Sequence, residues 1–139
     1  MVSESPRRHA RELVLQALYA VDCGNGQPEE SLSGLLATES LSEKNAAFAR
    51  RLFATVWRRR EWADEQIKRL STNWDISRVA SIDRAILRMA VVELTEMPDV
   101  PVNVVLNEAI ELAKKFSTRE SSRFVNGILD SFVAQLRSR

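Results

Sequence analysis

Three arginines near the start of the chain have the type and spacing of a phosphate-binding group. Arg7 and Arg11 are four residues apart and Arg8 is three from Arg11, so a helix would place their guanidinium groups on neighbouring positions. Guanidinium groups hold phosphate oxygens bidentately and stack on exposed bases. A solvated helix face near a terminus has the same pattern, and the residues alone leave both interpretations open.

A second basic run, residues 58–60, winds around a helix instead of lining one face, and acidic residues follow it closely. This pattern is typical of a solvated helix junction. Aromatic side chains often stack bases in single-strand binding proteins. At helical spacing, however, Trp57 and Trp74 are predicted core residues, and the place of Trp62 stays open.

Residue types that perform catalysis are sparse. The sequence has no HExxH, no GxSxG, no phosphate-cradling glycine loop, and no second histidine or cysteine near His9. Asp83 and Glu93 are lone helical carboxylates, which are usually surface ion-pair partners. We therefore predict a protein that is not an enzyme and that has no catalytic residue, no metal site and no cofactor.

The composition predicts one compact helical domain. The 139 residues are 45% hydrophobic and 28% charged, which is enough to bury a core without disulfides or metal. Only 4 glycines and 4 prolines are present, which favours an all-α fold. Because the net charge is +1, nucleic-acid binding would depend on local clustering of basic residues. A single cysteine and the lack of an apolar run of about 20 residues predict a cytoplasmic protein without a membrane partner.

Hydrophobic periodicity predicts about seven helices in two packed subdomains, residues 1–58 and 59–139. The helix carrying Val79 to Leu94 is the most apolar and is expected to be central. Gly127 lies inside the last helix at a cost of about 1 kcal/mol, so close approach of another helix is expected there. The predicted helices begin after Ser5-Pro6, at about Glu29, at the capping box Ser40–Glu43, near Arg60 (running through Trp74), after Asp75, at Val102 and at the capping box Ser117–Glu120.

Three sequence blocks occur in order across nearly the whole chain. They are Arg7–Glu12 with Gln16–Tyr19, then Asp83–Ala90 with Glu93-Leu94, and finally Val100–Val102, Asn107–Lys114, Phe116 and Phe124–Asp130. Together these blocks resemble the NusB family. The resemblance implies an all-helical antitermination factor that binds boxA-type RNA and forms a heterodimer with NusE, which is also a small-subunit ribosomal protein. It further implies loading onto RNA polymerase to suppress premature termination, particularly on ribosomal RNA operons.

The resemblance also assigns roles on the RNA side of the molecule. Arg7, Arg8 and Arg11 match the family's RNA-facing first helix. The start of the last helix lies on the same side in the family, which makes Phe124 a candidate base contact and places Glu120 near the RNA.

Two further positions match the family's partner surface. Asp83 corresponds to a NusE-facing position, and Tyr19 is expected near it. His9 departs from the family, because many members carry another basic residue there, and whether it contacts RNA stays open.

Two alternative functions are compatible with the same blocks. A related helical domain precedes the cofactor-binding domain of an rRNA cytosine methyltransferase family, although the start at Met1 and the lack of a Rossmann-like segment favour a stand-alone protein. A homodimeric scaffold that covers its own RNA-binding surface is the other alternative.

Overall fold

Seven helices make up the part of the chain that the computed structural model describes, residues 7–24, 26–71 and 79–138. Regular secondary structure in these ranges is entirely helical, so the predicted all-α class is confirmed. None of the described helices is both long enough and apolar enough to cross a membrane. The helices are α1 (Arg8–Asp22), α2 (Pro28–Thr38), α3 (Glu43–Arg58), α4 (Arg60–Leu70), α5 (Ser81–Glu96), α6 (Val102–Phe116) and α7 (Arg119–Arg137).

Three predicted features lie outside the described residues. They are the Ser5-Pro6 start of α1, the core position of Trp74 and the Asp75 cap. Val79, which was expected within α5, lies in a bend before that helix.

Helix α5 forms the centre of the fold. It packs against α1, α3, α4, α6 and α7. Eleven of its sixteen residues are buried, because apolar side chains occupy all its faces and not one stripe. It ends at Glu96, ahead of Pro98, which cannot continue a helix. The prediction that this helix is central is confirmed.

Helix α1 lies against α2, α3 and α5, and its predicted apolar stripe is buried. The stripe includes Leu13, Val14 and Leu18, spaced to fall on one face. Because α1 has neighbours on several sides, little of its surface is left for polar side chains.

Both predicted capping boxes begin too early. Helix α3 is capped by Ser42, whose hydroxyl accepts from the Asn45 N–H at 3.1 Å, and not by Ser40. Helix α7 is capped by Thr118, whose hydroxyl accepts from the Ser121 N–H at 3.1 Å, and not by Ser117. In each case the capping residue is the last with extended backbone, and that geometry decides the cap.

The basic run at residues 58–60 forms the predicted helix junction between α3 and α4. Arg59 lies between the two helices, with its Nε 3.1 Å from a Glu96 oxygen and its guanidinium 4.4 Å above the Trp62 ring. Arg60 donates to the Trp57 carbonyl and lies 4.1 Å above that indole. These arginines therefore connect helices.

The two described tryptophans pack against the core. Trp57 stacks parallel to Phe53 with ring centroids 6.4 Å apart, and Trp62 meets Phe132 edge-on at 6.2 Å. Both are partly buried, which agrees with a packing role.

Gly127 has no close helix neighbour. A Cβ built at this position would meet no atom within 4 Å, and the residue is exposed. The expectation that another helix approaches Gly127 closely is wrong.

Candidate nucleic-acid interface

Arg7 lies at the exposed start of α1, where it is the N-cap residue. Its guanidinium carbon is 4.3 Å above the ring centroid of Phe48, a buried residue of α3. This contact restrains a long side chain without neutralising its charge. Arg7 is half-buried, so the charge stays accessible at the surface.

Arg8 is held by a carboxylate from another helix. Its Nε donates to one oxygen of Glu108 in α6 at 3.0 Å, and Nη2 donates to the other at 3.3 Å. This fork geometry is the one a guanidinium also forms with phosphate. The carboxylate of Glu108 therefore occupies the side of the Arg8 guanidinium that could otherwise hold another oxyanion.

Arg11 is buried, with only 2% of its surface exposed. Its Nη2 lies 2.5 Å and its Nε 3.2 Å from Glu93 of α5, which is also buried. The prediction that Arg11 is an exposed member of the cluster is wrong, because α1 packs directly on α5 at this turn. The expectation that Glu93 is a surface acid is wrong for the same reason.

A cleft of ≈ 240 Å³ separates α1 from α6, and its cations are paired. Besides the Arg8–Glu108 pair, Lys115 Nζ lies 2.8 Å from both carboxylate oxygens of Glu12. Glu111 also lines the cleft, so carboxylates outnumber cations there. This cleft attracts an anion only if one of its own acids is displaced.

His9 lies on a different side of α1. Its Nε2 is 3.2 Å from an Oε2 of Glu39, which follows α2. The contact links the start of α1 to the end of α2.

The two predicted site residues near the start of α7, Phe124 and Glu120, differ in exposure. Phe124 is only 7% exposed and belongs to the hydrophobic core, so the expectation that its ring is available to stack a base is wrong. Its position in the apolar stripe of α7 explains the burial. Glu120 is exposed at the second position of α7, where a carboxylate favours the helix N-terminus.

Asp83 is buried in the first turn of α5, with 5% exposure. Its Oδ2 accepts a hydrogen bond from the Ser121 hydroxyl of α7 at 2.7 Å. Its buried Oδ1 has no hydrogen-bond partner among the described residues. The expectation that Asp83 lies on the surface is wrong, since its side chain joins α5 to α7.

Tyr19 presents a large aromatic surface near the end of α1, with 41% of the residue exposed. A hydrogen bond with Cys23 raises the pKa of the Tyr19 phenol above its ordinary value. The hydroxyl is protonated at neutral pH, as an ordinary phenol is.

Comparison with known proteins identifies the family. Residues 8–134 match the NusB family. The chain belongs to the NusB family. Curated relatives named transcription antitermination protein NusB include one from Symbiobacterium thermophilum, 45% identical over 94% of this chain and 91% of the relative. Another, from Bacillus licheniformis, is 42% identical over 94% of this chain and 98% of the relative.

Solved NusB structures share the fold. The NusB structure of T. maritima superposes with a TM-score of 0.84 at 34% identity, covering 94% of this chain and 92% of that one. A crystal structure described as antitermination factors NusB and NusE in complex with dsRNA matches with a TM-score of 0.82 at 25% identity, covering 91% and 95% of the two chains. NusB is an antitermination factor and not an enzyme, so the prediction on enzymatic activity is confirmed.

Sequence reasoning on this NusB-family chain missed Arg88. This α5 residue donates to both oxygens of Asp64 at 2.7 and 2.8 Å and to Asp22 at 3.1 Å, joining α5 to α4 and α1. Burial alone would lower the pKa of Arg88, but the hydrogen bonds that it donates to Asp64 and then to Asp22 raise it, so the guanidinium stays charged. The sequence did contain a signal for this network: an arginine within the most apolar helix, where a buried charge requires partners.

Proposed function

We propose that this protein binds boxA-type single-stranded RNA together with NusE and acts by assembly. The complex would join RNA polymerase in the cytoplasm and suppress premature termination, notably on ribosomal RNA operons. The observation that carries the proposal is the similarity of nearly the whole chain to the NusB chain of the complex with NusE and dsRNA.

Arg7 and Arg8 are the proposed RNA contacts on α1. Arg7 has a restrained and accessible guanidinium, and Arg8 can exchange the Glu108 carboxylate for a phosphate with the same fork geometry. Arg11 is a positioning residue, because its pair with Glu93 holds this end of α1 against α5. Glu120 lies near the RNA in this proposal and reduces affinity by repelling phosphates.

Tyr19 is the proposed contact for NusE. An exposed aromatic ring with a protonated hydroxyl provides both apolar area and a hydrogen-bond donor, a combination enriched at protein interfaces. Asp83 supports the partner surface indirectly, by joining α5 to α7 through Ser121.

The direct test is assembly of a ternary complex. Fluorescence anisotropy with labelled boxA-type RNA, a scrambled RNA of equal length and the corresponding duplex should show preferential binding of the single strand when the cognate NusE is present. Equal binding of all three RNAs, or no binding at micromolar protein, would overturn the proposal.

Tyr19→Ala tests the proposed contact with NusE. It should weaken NusE binding while leaving the affinity of the isolated protein for RNA unchanged, since the ring lies away from the α1 arginines along the helix. Asp83→Lys is a poorer probe, because it would place a charge at a buried site. Wild-type NusE affinity in Tyr19→Ala would remove Tyr19 from the interface.

A further inference from the structure

A small inner cavity of ≈ 10 Å³ lies between α1, α5 and α6. Its charged lining residues are Arg11, Glu93 and Glu108, and apolar side chains form the rest of its wall. A volume of this size accommodates about one oxygen atom. Glu108 also lines the larger α1–α6 cleft, together with Arg8. The Glu108 side chain therefore borders one space that contains Arg8 and another that contains Arg11.

The buried guanidinium of Arg11 has one nitrogen without a hydrogen-bond partner. Nε and Nη2 donate to Glu93, whereas Nη1 is buried and has no partner among the described residues. The Phe48 ring, 5.1 Å from the guanidinium carbon, attracts the charge but provides no oxygen acceptor. Because an unpaired buried donor is costly, a carboxylate oxygen that entered the inner cavity would stabilise Arg11.

Glu108 needs a second partner if Arg8 binds a phosphate. Its carboxylate is buried, with 6% of the residue exposed, and is paired with Arg8. A phosphate on Arg8 would separate this pair and leave a buried carboxylate beside another anion. An uncompensated buried charge is strongly destabilising, so it would cancel much of the gain from the phosphate contact.

We propose that Glu108 is a two-position carboxylate, which pairs with Arg8 in the free protein and turns to Nη1 of Arg11 when an RNA phosphate binds Arg8. This inference rests on the proposed RNA-binding function and adds a conformational step to it. A side-chain rotation is sufficient, because Glu108 already lines the inner cavity. Arg11 would then hold two carboxylates, as buried Arg88 does in the same fold.

NMR of the wild-type protein bound to its cognate NusE tests the rotation. On addition of unlabelled boxA-type RNA, the guanidinium N–H signals of Arg11 should shift and exchange with water more slowly, because Nη1 gains an acceptor. Arg88 is the matched control, since its guanidinium is buried and already paired with two carboxylates, and its signals should not change. Unchanged Arg11 signals, while the backbone amide of Arg7 responds to RNA, would overturn this inference and leave the proposed function standing.

A set of variants tests whether the rotation contributes to affinity. Arg11→Met with Glu93→Leu removes the second partner of Glu108 and should weaken RNA binding about tenfold, an ordinary coupling between neighbouring residues. Glu108→Gln should then tighten binding about fiftyfold in this double variant but only about fivefold in the wild type, because only the double variant leaves Glu108 without an alternative partner.

Equal gains from Glu108→Gln in the two backgrounds would mean that the double substitution merely displaces α1, and would overturn the inference. The thermal midpoint, followed by circular dichroism, shows whether each variant is folded. If the double variant does not fold, the NMR experiment on the wild type decides alone. A wild-type protein without RNA affinity would overturn both this inference and the proposed function.

Discussion

Two clefts beside the end of α6 differ in how closely their cations are paired: one, of ≈ 240 Å³, faces α1, and the other, of ≈ 410 Å³, lies between the end of α6 and the start of α7. Towards α1, Arg8 and Lys115 are each held by a carboxylate from a different helix. Towards α7, the described lining includes Lys114, whose Nζ is 3.7 Å from a Glu111 oxygen, and Arg119, for which the described residues show no ion pair. Basic residues on one surface are therefore not equivalent, because a paired cation must exchange partners to bind a phosphate and an unpaired one need not.

The largest expected effect concerns Arg11, which is buried between α1 and α5. Arg11→Ala removes the only bidentate partner that the structure describes for buried Glu93, and should lower the free energy of unfolding by about 3–5 kcal/mol. Urea denaturation followed by circular dichroism measures it. Arg7→Ala, which removes a half-buried charge, should change stability far less.

A double substitution separates the contribution of the ion pair to stability from that of side-chain packing. Arg11→Met with Glu93→Leu replaces the ion pair by apolar groups and should recover most of the lost stability. If Arg11→Ala unfolds at the wild-type urea concentration, Arg11 is not the anchor of α1.

Gly127 tests the exposed face of α7 in a different way. With open space around its Cβ position and no positive φ, Gly127→Ala should raise the free energy of unfolding by about 1 kcal/mol through helix propensity alone. The shift in the urea midpoint should come with an unchanged m-value. A loss of stability would indicate a packing constraint at this position.

Glu108→Gln removes one negative charge from the α1–α6 cleft, so that Arg8 loses this carboxylate partner there, whereas Arg119 has none among the described residues of the α6–α7 cleft. Glutamine keeps an oxygen for Arg8 but removes the competing charge, so RNA binding should tighten by about 1 kcal/mol, the upper range for a partly exposed pair. Glu65→Gln, at an exposed site of α4, is the matched control. Unchanged or weaker RNA binding in Glu108→Gln would mean that Arg8 does not exchange partners.

Glu120→Gln should have the smallest effect. Removing an exposed carboxylate near the RNA path should tighten binding by roughly 0.5 kcal/mol at low salt, with the gain shrinking as salt rises. Since Thr118 caps α7, the fold should be nearly as stable as the wild type. A gain that does not depend on salt would argue against phosphate repulsion.

Features that follow from hydrophobic periodicity were predicted correctly. The apolar stripe of α1 and the central place of α5 follow from periodicity, which acts over neighbouring turns. Phe124 was assigned both to the stripe of α7 and to the RNA surface, and its burial shows that the stripe decided its place. The division into subdomains at residues 58 and 59 stays a prediction.

Features that depend on distant partners were not predictable. Arg11 and Glu93 are separated by 82 residues, and Arg88 and Asp22 by 66, so no local spacing indicates either pair. The caps of α3 and α7 are local features but were also missed, because Ser40 and Ser42, like Ser117 and Thr118, have equally suitable side chains and the backbone angles decide between them.

The salt dependence of RNA binding tests the central claim most directly. The logarithm of the association constant for boxA-type RNA, measured against the logarithm of salt concentration with NusE bound, should fall linearly for the wild type. Arg7→Gln should flatten that slope by about 0.7, and Arg8→Gln by less, because Arg8 gives up a carboxylate when it binds a phosphate. A slope near zero for the wild type, or equal flattening by the two variants, would contradict the account.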